Sequence, residues 1–196
     1  MDSRSGLRIV GFAGPQDSGK DEAADELARQ IAGAGSPWPP TGRQILAVRR
    51  FALAQTLRDM ADAGRVPQAA TRARKDQPCP ELGGATGRDL LIALGRAVRQ
   101  VAGEEYLGRC LVEQARDWAN IRSRAWAVVS DVRTMGDVRA LKAAGARLIR
   151  VARPGRSADA MLEGQVLAEC DEVLENDGTL ADLHVKVAEL ARGLVG

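Results

Sequence analysis

Apolar positions along the chain change their period repeatedly, and each change marks an element. Leu7, Ile9, Val10, Phe12 and Ala13 are dense enough for a buried strand. Ala23, Ala24, Leu27, Ala28 and Ile31 then recur at helical spacing. Ile45 to Phe51 read as a second short strand, and Leu53 to Ala63 as a helix with Leu53, Leu57 and Met60 on one side. Between Gly64 and Gly87 the pattern dissolves into Pro67, Pro78, Pro80, Gly83 and Gly84, a long connection of the functional or mobile kind. Thr86 or Gly87 starts a helix carrying Leu90, Leu91, Leu94 and Val98, Gly103 interrupts it, and another runs through Leu107, Leu111, Ala115 and Trp118. A strong strand at Ala125 to Ser130, a helix from Gly136 to Ala144 and a strand at Arg147 to Ala152 follow. A short strand near Val173 and Leu174 and a helix from Thr179 close the pattern. Such alternation predicts an α/β fold in three layers, a parallel sheet with helices on both faces. The 196 residues suit a single domain, without repeats or low-complexity tracts.

Composition narrows the function classes. Cys79, Cys110 and Cys170 are an odd set with no C-x-x-C spacing and no histidine cluster, which argues against a disulfide framework or a zinc site. No apolar run approaches the roughly 20 residues that cross a bilayer, and Met1 to Ser5 lack the order of a signal peptide. The expectation is a soluble cytoplasmic protein with reduced thiols. Net charge is only +2, but residues 110–156 carry ten basic against four acidic side chains and residues 157–196 two against nine. A basic centre suits phosphorylated ligands. With no Lys/Arg block and six aromatic residues, nucleic acid is not an expected partner.

The candidate chemistry starts in the first strand-to-helix turn, Gly14-Pro15-Gln16-Asp17-Ser18-Gly19-Lys20-Asp21. It follows the phosphate-loop pattern G-x-x-x-x-G-K, whose glycines let successive N–H groups wrap an anion while the helix end and the lysine add positive charge. Asp21 stands where a Ser or Thr hydroxyl normally meets Mg²⁺, so metal contact there falls to a carboxylate. Later strands also deliver charge at their C-terminal ends: Asp131 with Arg133, and Arg153. In open α/β sheets that edge binds ligands, so these residues should converge with the loop. Phosphoryl transfer needs alignment and neutralised oxygens, which makes Lys20, Asp131 and Arg133 the candidate catalytic residues, with Asp21 and Asp131 toward Mg²⁺.

Gly14 to Asp25, Arg88-x6-Gly95, Asp131-x-Arg133 followed by Gly145, Arg153-Pro154-Gly155 and Asn176-Asp177-Gly178 together resemble the ordered motifs of bacteriophage deoxynucleoside monophosphate kinases. The resemblance spans nearly the whole chain. It implies a P-loop NTPase fold of the adenylate-kinase kind, with ATP and Mg²⁺ as cofactors and transfer of the γ-phosphate to a deoxynucleoside 5′-monophosphate. By the same resemblance Gly14, Ser18, Gly19, Lys20, Asp21 and Glu22 form the ATP and Mg²⁺ loop. Arg153, with Arg156, belongs to a lid-like segment at 153–165. Leu57, Arg58, Arg88 and Gly95 line the acceptor pocket beside a mobile insertion at 64–87, and Arg133 bridges both ligands. Small-molecule nucleotides are then the partners, a homodimer is compatible, and the compartment is the host cytoplasm if the chain is phage-encoded.

Some positions depart from that family. Glu22 replaces a usual Thr, Gln16 and Asp17 replace basic loop residues, and Ile92 stands where a Gln is usual. Inside Leu90-Leu91-Ile92-Ala93-Leu94, Ile92 reads as core. His184 reads as a surface or packing residue, and Trp38 between Pro37 and Pro39 as an exposed turn. Two other functions share the residues: a P-loop kinase for another small metabolite, and a nucleotide-binding module without transfer activity, which the acidic Asp17 and Glu22 would suit.

Overall fold

The computed structural model describes residues 6–34, 47–67, 71–122, 124–156 and 161–195. Five strands form one parallel sheet: β1 (Leu7–Ala13), β2 (Ala47–Ala52), β3 (Ala125–Val132), β4 (Arg147–Ala152) and β5 (Glu172–Glu175), in spatial order β2-β3-β1-β4-β5. The helices are α1 (Lys20–Ala34), α2 (Leu53–Ala63), α3 (Gly87–Ala102), α4 (Tyr106–Ala119), α5 (Met135–Ala143), α6 (Met161–Ala168) and α7 (Leu180–Val195).

Strand alternation divides the core into two apolar layers. Val10, Phe12, Trp126, Val128, Ile149 and Val151 face α1 and α7, packing on Ala24, Leu27, Ile31, Leu183 and Val187. On the opposite face Ile9, Ala127, Val129 and Leu148 meet Leu111 and Ala115 of α4, Val138 and Leu141 of α5 and Val166 of α6. A sheet buried on both faces needs near-continuous apolar strands, and β3 is buried from Ala125 through Ser130. Helix α3 packs on α2 and α4, one layer further out. That outward position leaves room between α3 and the strand ends.

The three-layer α/β arrangement is the one the hydrophobic pattern predicts. Helix α2 is observed at 53–63 and β4 at 147–152, as read. Helix α6, 161–168, is an addition that begins inside the segment expected as a lid. Of the expected second strand, residues 45–46 lie outside the described residues, as do Trp38 and positions 157–160 of the lid segment. The 64–87 connection is more structured than its sequence suggests. Its residues 80–82 form a 3-10 turn, Cys79 is buried and exchanges hydrogen bonds with Ala85 and Gly84, and Pro78 bridges Thr86.

Candidate active site

The loop after β1 owes its shape to two glycines. A Cβ on Gly14 would lie 2.6 Å from Ser18 Oγ and 2.7 Å from the carbonyl of Val151, so no side chain fits. Gly19 adopts φ +91°, and a Cβ there would meet Asn176 Nδ2 at 2.5 Å. That amide donates to the Ser18 carbonyl at 2.8 Å and ties the loop to the end of β5. Lys20, only 6% exposed, donates to the Pro15 carbonyl at 3.2 Å and closes the loop on itself. Ser18 is fully buried, yet its hydroxyl oxygen has no hydrogen-bond partner among the described residues. An orphaned buried hydroxyl costs about 1–3 kcal/mol unless a ligand answers it. The turn therefore fits an anion: it has a helix N-terminus, a spare donor and a lysine at one point. Across its mouth, Arg153 donates to the Asp17 carbonyl at 3.3 Å and Arg156 approaches the Asp17 carboxylate at 4.0 Å.

Asp131 reaches this edge by an irregularity rather than by strand alternation. Gly11 pairs with Val129, but Ala13 pairs with Val132, so Ser130 and Asp131 together oppose Phe12. Asp131 takes φ +75°, a left-handed value that few non-glycine residues adopt. The bulge sets its carboxylate in a hydrogen-bonded ion pair with Arg133. One strand over, Arg50 of β2 contacts Asp21 at 3.2 Å, donates to Ser130 Oγ at 2.7 Å and pairs with Asp25. The two carboxylates named for Mg²⁺ are thus each answered by an arginine. Among the described residues no group of three or more acidic, His or Cys side chains could hold an ion. Asp21 and Asp131 supply hard oxygen ligands that fit Mg²⁺ only if phosphates complete its shell.

Beside the bulge lies a cavity of about 590 Å³, walled by α2, α3, the start of α4 and the β3–α5 turn. Leu57, Arg58, Arg88, Gly95, Asp131 and Arg133 all line it. Gly95 makes the close wall, because a Cβ there would sit 3.2 Å from Leu57 Cδ1. The Nε of Arg58 is buried and unpartnered. Arg88 pairs with Asp76 at 2.5 Å; this hydrogen bond raises the arginine's pKa and holds the Asp76 carboxyl below its ordinary value. Ile92, read from the sequence as core, is instead 47% exposed and lines the cavity, because α3 turns that face away from the sheet.

The structure also brings in residues that the sequence reading missed. Arg50 looks like a stray charge in a strand, although its place near a strand's C-terminal end is the signal that picked out Asp131. Asp137, 1% exposed, and Arg99 lie 3.5 Å apart in the cavity wall. Burial pushes the Asp137 carboxyl up, and Arg99 pulls it down by less. Thr134-x-x-Asp137 forms a capping box and so reads as helix chemistry alone. Glu22, grouped with the loop by its sequence position, has its carboxylate 2.8 Å from His184 Nε2 on α7, which makes His184 the half-buried packing residue expected.

A glycine phosphate loop joining the central strand of a parallel β2-β3-β1-β4-β5 sheet to its helix defines this molecule as a P-loop α/β protein. Solved structures of similar shape include an APS kinase from Mycobacterium tuberculosis, with TM-score 0.49, 14% identity and coverage of 94% of this chain and 96% of that one. A dephospho-CoA kinase from Campylobacter jejuni aligns with TM-score 0.48 and 9% identity over 97% and 98% of the two chains. The tunicamycin resistance protein of Deinococcus radiodurans gives TM-score 0.45 and 14% identity over 97% and 96%. No protein-family model and no curated protein matches the chain. Among the described residues no helix is long and apolar enough to cross a membrane.

Proposed function

We propose that the protein is an ATP-dependent kinase that phosphorylates a deoxynucleoside 5′-monophosphate to the diphosphate. The observation that carries this reading is the convergence of Arg58, Arg88 and Arg133 in one cavity at the Asp131 bulge, on the strand that pairs with the end of β1 where the glycine turn begins. Guanidinium groups bind phosphate oxygens through paired donors, and several of them around one space suit an acceptor that is itself a phosphate. The loop amides, Ser18 and Lys20 hold the β- and γ-phosphates of ATP, and the Arg153 side of the loop covers them. Arg58 and Arg88 hold the acceptor's phosphate, which draws Arg88 away from Asp76. An oxygen of that phosphate attacks Pγ, the bond from Pγ to the ADP oxygen breaks, and Arg133 at the boundary neutralises charge on the transferring group. Bound Mg²⁺ adds positive charge to the phosphate oxygens, and Asp21 and Asp131 are the residues that would hold it or its waters.

A coupled ADP-release assay over deoxynucleotides, ribonucleotides and sugar acids tests the reading. Turnover with at least one deoxynucleoside monophosphate is expected, and turnover confined to a non-nucleotide overturns it. Arg88→Ala should raise the acceptor KM roughly 10- to 100-fold, the worth of a charge-assisted hydrogen bond, with the ATP KM unchanged. Lys20→Ala should abolish most turnover while lowering the melting temperature by only a few degrees, since the one internal contact it removes is the hydrogen bond to the Pro15 carbonyl, worth about 1 kcal/mol.

A further inference from the structure

One wall of the acceptor cavity carries a polar pair that phosphate binding does not use. Asp137 is the third residue of α5 and is 1% exposed. Its Oδ2 accepts the Thr134 backbone N–H at 3.0 Å and belongs to the helix cap. Its Oδ1 is buried with no hydrogen-bond partner among the described residues and lies 3.5 Å from Arg99 Nη2. Arg99 Nε is likewise buried and unpartnered. Both residues line the cavity. Arg99 sits about 16 Å along α3 from Arg88, at 1.5 Å rise per residue. Leu57 and Leu91 lie in the walls between. Along its α3 wall the space therefore has Arg88 toward one end for an anion, and a spare acceptor beside a spare donor at the other.

We propose that Asp137 and Arg99 read the base of the acceptor nucleotide and select bases that carry an exocyclic amine. The inference rests on the nucleotide-kinase reading above. A carboxylate oxygen only accepts and a guanidinium only donates. Cytosine and adenine place an amine at the end of their pairing edge with a ring nitrogen next to it. The amine donates to Oδ1 and the ring nitrogen accepts from Arg99. Guanine offers its ring N–H and amine to the carboxylate and its carbonyl to the guanidinium. Thymine and uracil hold their single N–H between two carbonyls. Seating that N–H on Oδ1 turns the second carbonyl toward the carboxylate with no donor to answer it, and a buried mismatch of this kind discriminates strongly.

The test compares kcat/KM for dAMP, dCMP and dGMP with dTMP and dUMP, in the intact chain and in Asp137→Asn. Asparagine keeps the capping oxygen and the volume but puts an amide donor where Oδ1 stood. In the unaltered protein the best amine-bearing substrate should exceed dTMP and dUMP at least tenfold. In the variant that ratio should fall at least tenfold, with the KM for ATP within twofold of its original value. A best substrate of dTMP or dUMP in the unaltered protein overturns the inference whether or not the variant folds. An unchanged ratio in a folded variant also overturns it, and both results leave the kinase reading standing. Failure of every nucleotide to bind or react removes both.

Discussion

At the residue scale, the buried Asp137 carboxyl makes stability depend on pH. Its pKa in the folded protein lies above the ordinary carboxylate value because burial disfavours the charge. The native state therefore holds a proton that the unfolded chain releases, and stability falls as pH rises through the window between the two values. Denaturation curves followed upward from the ordinary carboxylate value, about 4, should show this fall in the unaltered protein and a flatter profile in Asp137→Asn. The turn built on Gly14, Gly19 and Lys20 was legible in the sequence because it is made of contiguous residues whose conformational demands show in their identity. Asp137 and Arg50 were not legible. Their partners come from other elements: Arg99 from α3 in one case, Asp21 and Ser130 in the other.

At the element scale, the base of the cavity depends on how closely α5 approaches the α3–α4 connection. A Cβ on Gly136 would fall 2.1 Å from the Glu104 carbonyl oxygen, and one on Gly108 2.7 Å from Ala140 Cβ. The first collision is with backbone, which cannot swing aside as a flexible side chain can. Gly136→Ala should therefore cost at least about 1–3 kcal/mol, as overpacking does. The loss is to be read as a lower melting temperature together with a raised acceptor KM, since the same shift displaces Asp137. The helices other than α6 were legible to within a few residues because their apolar spacing and caps are local; Thr86 caps α3 as its sequence suggests. The bulge at Asp131 was hidden. Alternation along β3 alone gives no sign that Ser130 and Asp131 share one partner position on β1.

At the scale of the whole molecule, the glycine turn after β1 and the Asp131 bulge of β3 adjoin at the C-terminal edge of the sheet. The loop leaves β1 at Ala13, whose register partner on β3 is Val132, next to Asp131 and Arg133. Ligands that bind such an edge tie together segments far apart in the chain and stabilise the fold by mass action. ATP at 100 times its Kd should add about 2.7 kcal/mol. The rise in melting temperature should be absent in Lys20→Ala, and thermal unfolding with and without nucleotide checks it. What the sequence alone determined was the α/β class, the order of the strands and of every helix but α6, and the glycine-framed turn after β1, because those follow from local periodicity and contiguous turn residues. Only the tertiary structure decided which charges face one another across elements: Arg50 answering Asp21, the exposed face of Ile92, and the unpartnered oxygen of Asp137 in the cavity wall. Those pairings depend on strand order, a one-residue bulge and helix approach distances, and these arise when distant segments pack.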